Sequence, residues 1–176
     1  MFIKKKLEKY LSEHLEYERN YFKAKASRNE SPIVEEDLCM ESSSFVGAAQ
    51  MSSSISEYIN INNTKETFQV KLFKLIDERG LKDSEVYNKV NIDRRLFSKI
   101  RSDINYHPSK DTIILLGIAL ELNEDEIVDL LESASYSLPM NSIFDLIIRF
   151  CFKEHIYNIN TINEFLYDHN CKTLNT

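Results

Sequence analysis

An all-α fold follows from three features of the sequence. Apolar residues recur at three-to-four spacing along most of it, the pattern of a helix with one buried stripe. Only three Gly and three Pro occur in 176 residues, too few for a turn-rich β architecture. Most of the periodic stretches also open on a Ser, Thr, Asn or Asp able to cap a helix. A hydrophobic content of 43% supports an ordinary core, in one domain with an extension or in two small ones. The net charge of -6 has the wrong sign for a protein whose whole surface attracts nucleic acid, so any such contact must come from a local basic patch. Cys39, Cys151 and Cys171 are widely spaced and unpaired in pattern, which suits reduced thiols better than a disulfide framework. No run approaches a membrane span, and the expected setting is the cytoplasm.

The first element, residues 1–26, is an amphipathic helix whose Ile3, Leu7, Tyr10, Leu11, Leu15, Tyr17, Tyr21 and Phe22 form a stripe among Lys and Glu. That stripe needs cover, from its own domain, from a second copy or from a partner helix. Residues 27–63 lose the period: serines cluster at Ser42–Ser44 and Ser52–Ser54, Pro32 interrupts, and Glu35, Glu36 and Asp37 form an acidic patch. This stretch reads as a linker, with a short helix possible around Ser54 to Ile59. A compact domain follows over 64–136. Thr64 caps its leading helix, which turns Phe68, Leu72, Leu75 and Ile76 inward and stops at Gly80.

Leu81 to Arg101 then reads as two short helices meeting at a tight turn, a helix-turn-helix. Val86, Val90, Ile92, Phe97 and Ile100 fall where two crossed helices share a small core. Lys82 or Asp83 opens the first helix, and Asn91 sits at the corner, where an amide side chain tolerates positive φ. Asp93 caps the second, a basic helix over 93–102. With Phe97 and Ile100 inward, Asp93, Arg94, Arg95, Ser98, Lys99, Arg101 and Ser102 become the candidate DNA contacts. Arg94 and Arg95 stand where bidentate contacts to guanine or phosphate are possible, and Lys99 suits phosphate. The same face could equally receive an acidic protein partner.

Beyond the loop carrying Tyr106 and His107, Ser109 caps a helix that is apolar nearly all round, through Ile113, Ile114, Leu116, Gly117 and Leu120. Asn123 with Glu126 makes a capping box for a helix burying Ile127, Leu130, Leu131 and Ala134. Residues 137–176 add a helical hairpin. Asn141 caps its first helix, with Ile143, Phe144, Ile147, Ile148, Cys151 and Phe152 inward, and Thr161 with Glu164 opens the second.

From Thr67 to about Leu131 the chain resembles the phage-repressor or Cro-like (XRE-type) helix-turn-helix domain. The likeness rests on the leading helix ending ERGL, the helix pair, and HPSKDTIILLGIALELNEDEIVDLL. In that family a Pro-Ser pair opens the fourth helix, as Pro108 and Ser109 would here, and a small residue followed by Leu closes it, as Ala119 and Leu120 would. Two positions depart: Tyr87 replaces the family's usual Ala where the paired helices approach most closely, and Asn91 replaces the corner Gly. The resemblance implies five helices over 64–136 and a DNA-binding transcriptional regulator, dimeric so that two recognition helices reach successive turns of the duplex. A looser similarity, from Glu66 onward, is to a module at the C-terminal end of larger bacterial proteins, some carrying macro domains. It implies a non-catalytic protein-interaction or adaptor module on the same fold.

Catalytic signatures are not found: the sequence has no Gly-rich phosphate loop, HExxH, nucleophile elbow or paired CxxC. Cys151 and His155 are spaced one helical turn apart, with His169 and Cys171 near the end, but such an isolated pair is ordinarily packing plus a surface imidazole. The expectation is a non-enzyme with no cofactor and no metal, whose partner is double-stranded DNA or a protein.

Overall fold

The computed structural model describes residues 2–27 and 66–174, with side chains for 2–15 and 66–174. Among them every regular element is a helix: α1 (Phe2–Ser27), α2 (Phe68–Glu78), α3 (Asp83–Lys89), α4 (Arg94–Ser102), α5 (Lys110–Ala119), α6 (Glu124–Ser133), α7 (Ile143–Lys153) and α8 (Ile159–Asp168). The chain divides into two units, Met1–Asn20 with Glu66–Thr176, and Tyr21–Lys65. Of the second, only the backbone of 21–27, the end of α1, is described. The expected linker beyond Ser27, its acidic patch, Cys39 and the capping role of Thr64 lie outside the described residues, as do the side chains of Tyr17, Tyr21 and Phe22.

The core is centred on α5, whose residues from Ile113 to Leu120 are all buried, as its all-round apolar sequence requires. It packs on α3 and α6; α6 packs in turn on α2 and α7, and α7 on α8. At Gly117 side chains of α6 and α7 press close against α5. A Cβ there would lie 2.5 Å from Ile127 Cδ1 and 3.2 Å from Phe152 Cζ, so a side chain would collide with α6 and α7 together.

Six helices end in one way. Gly80, Asn91, Glu121, Ser135, His155 and Asn170 adopt left-handed φ between 52° and 63° after α2, α3, α5, α6, α7 and α8. The N–H of the next residue then reaches back five positions: Leu81 to the Ile76 carbonyl, Ile92 to Tyr87, Leu122 to Gly117, Tyr136 to Leu131, Ile156 to Cys151, Cys171 to Leu166. These are Schellman closures, which satisfy carbonyls that would otherwise lack donors and turn an apolar residue back toward the core. Among the helices whose C-terminal ends are described, α4 alone ends differently, running into extended backbone at Asp103.

Several helix starts differ from the sequence expectation. Thr67 is the cap of α2, its Oγ1 accepting from the Val70 N–H at 3.5 Å. Lys82 is the residue before α3 and offers no side-chain acceptor; instead the Glu85 carboxylate takes the Lys82 N–H at 2.7 Å. Ser142 rather than Asn141 caps α7, and Ile143 is 38% exposed rather than inward. Asn158, not Thr161, caps α8 and accepts from the Thr161 N–H at 3.1 Å, which leaves Glu164 free to bind elsewhere. Its partner is Lys4. The capping box at Asn123 and Glu126 forms as expected, at 3.0 and 2.8 Å.

The first half of α1 is covered in cis by the C-terminal helices. Leu7 and Leu11 are buried, and Tyr10 lies 5.5 Å from the Phe150 ring, tilted by 47°. Charges surround this contact: Lys4 donates to Glu164 at 2.7 Å and Asp168 at 2.9 Å, Lys6 binds Glu154, and Glu8 lies 3.3 Å from His169 Nε2. The Lys4 ammonium is held above its usual range by these carboxylate bonds. Leu7 and Leu11 supply the drive, each worth about 2 kcal/mol of burial, whereas the exposed ion pairs add little beyond register.

Candidate nucleic-acid interface

The stretch read as a corner is built by backbone chemistry before any charge is considered. Asn91 turns the chain at φ 52°, Ile92 drops into the core, and Asp93 accepts the Arg95 N–H at 2.6 Å, fixing where α4 begins. Phe97 and Ile100 then anchor α4. The Phe97 ring meets Phe73 of α2 edge-on at 6.1 Å and Tyr87 of α3 at 5.6 Å. This inward seam leaves Asp93, Arg94, Arg95, Ser98, Lys99, Arg101 and Ser102 all exposed.

Their situations are not equivalent. Arg101 is committed within the protein, its guanidinium 2.5 Å from Asp83 and 4.1 Å from the centre of the Phe73 ring. Lys99 stands over Tyr106, 4.5 Å from the ring centre, a cation–π contact that keeps the ammonium upright at the surface. Asp93 is occupied as a cap, whereas no contact with another side chain holds Arg94, Arg95, Ser98 or Ser102 among the described residues. Tyr87 is half-buried over Phe97 and lines a cleft between α3 and α4 with Lys82, Asp83, Arg94, Ser98 and Arg101. The phenol has not driven the two helices out of contact, because its ring lies against Phe97.

The distribution of ion pairs separates this face from the rest. Within 66–174, Lys71, Lys74, Arg79, Lys89, Arg101, Lys110, Arg149 and Lys172 each hold a carboxylate. Lys82, Arg94, Arg95, Lys99 and Lys153 hold none among the described residues, and all but Lys153 belong to α4 or the residue that opens α3. The acidic run from Glu121 to Glu132 is correspondingly engaged: Glu121 binds Lys89, Glu124 binds Arg149, Glu126 binds Arg79 through both oxygens, and Asp129 binds Lys71. Four of its six carboxylates thus cross-link elements of the fold. No family model matches this chain, and no curated protein or solved structure is significantly similar to it.

Lys82 is a neighbour of the candidate face that sequence reasoning did not include, because a lysine one residue before a helix carries no periodic signal; Tyr106, which the sequence offered as a loop residue beside the basic helix, lies half-buried under Lys99. Gln69 of α2 also contributes, its side-chain N–H groups donating to the Ile104 and Tyr106 carbonyls at 3.2 and 3.1 Å and so holding the loop after α4. His107 is not a free surface group either, because its Nε2–H donates to the Ala134 carbonyl at 2.7 Å.

The Cys151 and His155 pair does not share a helix face. α7 ends at Lys153, and His155 is the left-handed residue beyond it, its Nδ1 2.9 Å from the Tyr157 hydroxyl. Burial pushes the Cys151 thiol up to about 12, so it stays protonated and unreactive at neutral pH. No group of three or more His, Cys, Asp or Glu side chains placed to hold a metal occurs among the described residues. No helix among them is long and apolar enough to cross a membrane.

Proposed function

We propose that the chain is a non-catalytic, DNA-binding transcriptional regulator in which α2 to α6 form a five-helix repressor-like domain and α4 is the recognition helix. One observation carries this reading: in a domain that pairs most of its cations, Lys82, Arg94, Arg95 and Lys99, on α4 and at the start of α3, hold no carboxylate among the described residues. Arg94 and Arg95 even occupy the first turn of α4, where the helix dipole disfavours positive charge by about 0.3–1 kcal/mol each. A local choice made against stability is expected where a surface serves a ligand, here an anionic one. Phosphates take Lys82 and Lys99, and base edges in the major groove take Arg94 and Arg95. Two copies would present two such helices to successive turns of a duplex.

A second reading, a protein-interaction or adaptor module on the same helices, draws on Ile104. It is 74% exposed on the loop leaving α4, and an apolar side chain there fits a protein better than a phosphate backbone.

Salt separates the two. Phosphate contacts by Lys82 and Lys99 predict that log K falls against log[salt] with a slope of about -2 per copy, which the Lys82→Ala, Lys99→Ala double variant flattens, whereas the Arg94→Ala, Arg95→Ala double variant removes preference among duplex sequences. Random-sequence duplex that fails to bind even at low salt would refute the DNA reading and favour the adaptor.

A further inference from the structure

Tyr87 is the one bulky aromatic on the floor of the α3–α4 cleft that is open to a visitor. Phe97 beneath it is 2% exposed, whereas Tyr87 is half-buried. Its ring leans on Phe97 at 5.6 Å with the planes 53° apart, so one flank is supported and the other borders the cleft. Among the described residues its hydroxyl has no hydrogen-bond partner, although those of Tyr136 and Tyr157 do. Beside it stand Ser98 and Arg94, which holds no carboxylate among the described residues.

We infer that Tyr87 is a specificity-determining residue of this interface: its ring contacts the 5-methyl group of a thymine in the base pairs that Arg94 approaches. This rests on the DNA-binding reading and adds to it a residue from α3, outside the recognition helix. The occupant is fixed by charge and shape together. Lys82 and Arg94 at the rim demand a polyanion, and an aromatic surface between them demands an apolar group carried by that polyanion. In a duplex major groove the thymine methyl is the apolar group on offer. Supported from beneath by Phe97, the ring meets it with two torsions already restrained, so little entropy is lost on contact.

The test begins with duplexes selected by the full chain from a random pool. Thymines of the preferred site are then replaced singly by uracil, which removes the methyl and nothing else. At one or more positions wild-type affinity is expected to fall about fourfold, the effect of one buried methyl-sized group. Tyr87→Phe should keep that dependence and Tyr87→Ala should abolish it while still binding duplex through the cations. Tyr87→Leu, which retains apolar cover on Phe97 but is shorter, should also lose it and guards against an unfolded Ala variant; circular dichroism checks both. Equal sensitivity to uracil in wild type and Tyr87→Leu overturns the role of Tyr87 and leaves the DNA reading standing. No selection of any duplex overturns both.

Discussion

Replacing Gly80 by Ala isolates the cost of a left-handed helix end. Gly80 sits at φ 63° after α2, and a Cβ there would meet nothing within 4 Å, so no clash enters the account. What remains is conformational. An L-residue in the left-handed region is disfavoured by about 1–2 kcal/mol, and the stiffer unfolded chain of the Ala variant gives back about 0.4–1 kcal/mol. The net expectation is a loss of about 1 kcal/mol. Ser135 supplies the reciprocal change: it is exposed, has φ 59°, and its side chain makes no hydrogen bond among the described residues. Ser135→Gly should therefore gain nearly what Gly80→Ala loses. The two sites end different helices, so the double variant should return close to wild type. Urea denaturation reads all three, with midpoints moving at constant m. A neutral Gly80→Ala, or a destabilised Ser135→Gly, would show that the Schellman closures are not limited by backbone strain.

Further consequences concern charge and packing. Asp145 is 5% exposed and bound to Lys110 at 2.6 Å, a link between α7 and the start of α5; Asp145→Ala strands the lysine and should cost about 3 kcal/mol in a denaturation experiment, an unchanged midpoint counting against a structural role. Leu7→Ala should cost about 2–3 kcal/mol of α1 docking, read as faster amide exchange in α1 while α5 stays protected. The Cys151 thiol is raised to about 12 when folded, from an ordinary value near 9. Above pH 9 the unfolded chain loses this proton and the folded one keeps it, so stability falls as pH rises toward 12 by up to about 1.4 kcal/mol per unit. Cys151→Ala should lack that component, and identical pH slopes for wild type and variant would refute it.

What the sequence disclosed depended on how local the cause was. Gly80 and Asn91 announced their turns because their side chains tolerate positive φ, but Glu121, Ser135 and His155 adopt the same conformation with no such mark. Their signal is the apolar residue immediately after, Leu122, Tyr136 or Ile156, drawn inward by the closure. Missing it carried the helix past Lys153 and put His155 on the same face as Cys151, one turn on. Cap errors arose where two candidates lay within a few residues, as at Asn158 and Thr161, and the start of the buried stripe decided between them. For the candidate site, periodicity was enough to turn Arg94, Arg95, Ser98 and Lys99 outward. It could not foresee that Arg101 bends back to Asp83, because that pairing joins two helices. Asp145 escaped notice for the same reason: its partner is 35 residues away.

The seat of α1 has a consequence for the order in which the protein can be completed. Lys4 and Glu164 are 160 residues apart, so α1 is synthesised well before the helix it docks on. At typical elongation rates that interval is roughly ten to thirty seconds. Throughout it Leu7 and Leu11 lack the cover that the C-terminal helices give them, although α2 to α6 can already assemble from neighbours in sequence. The docking of α1 is thus a late step, completed only once α8 has been made.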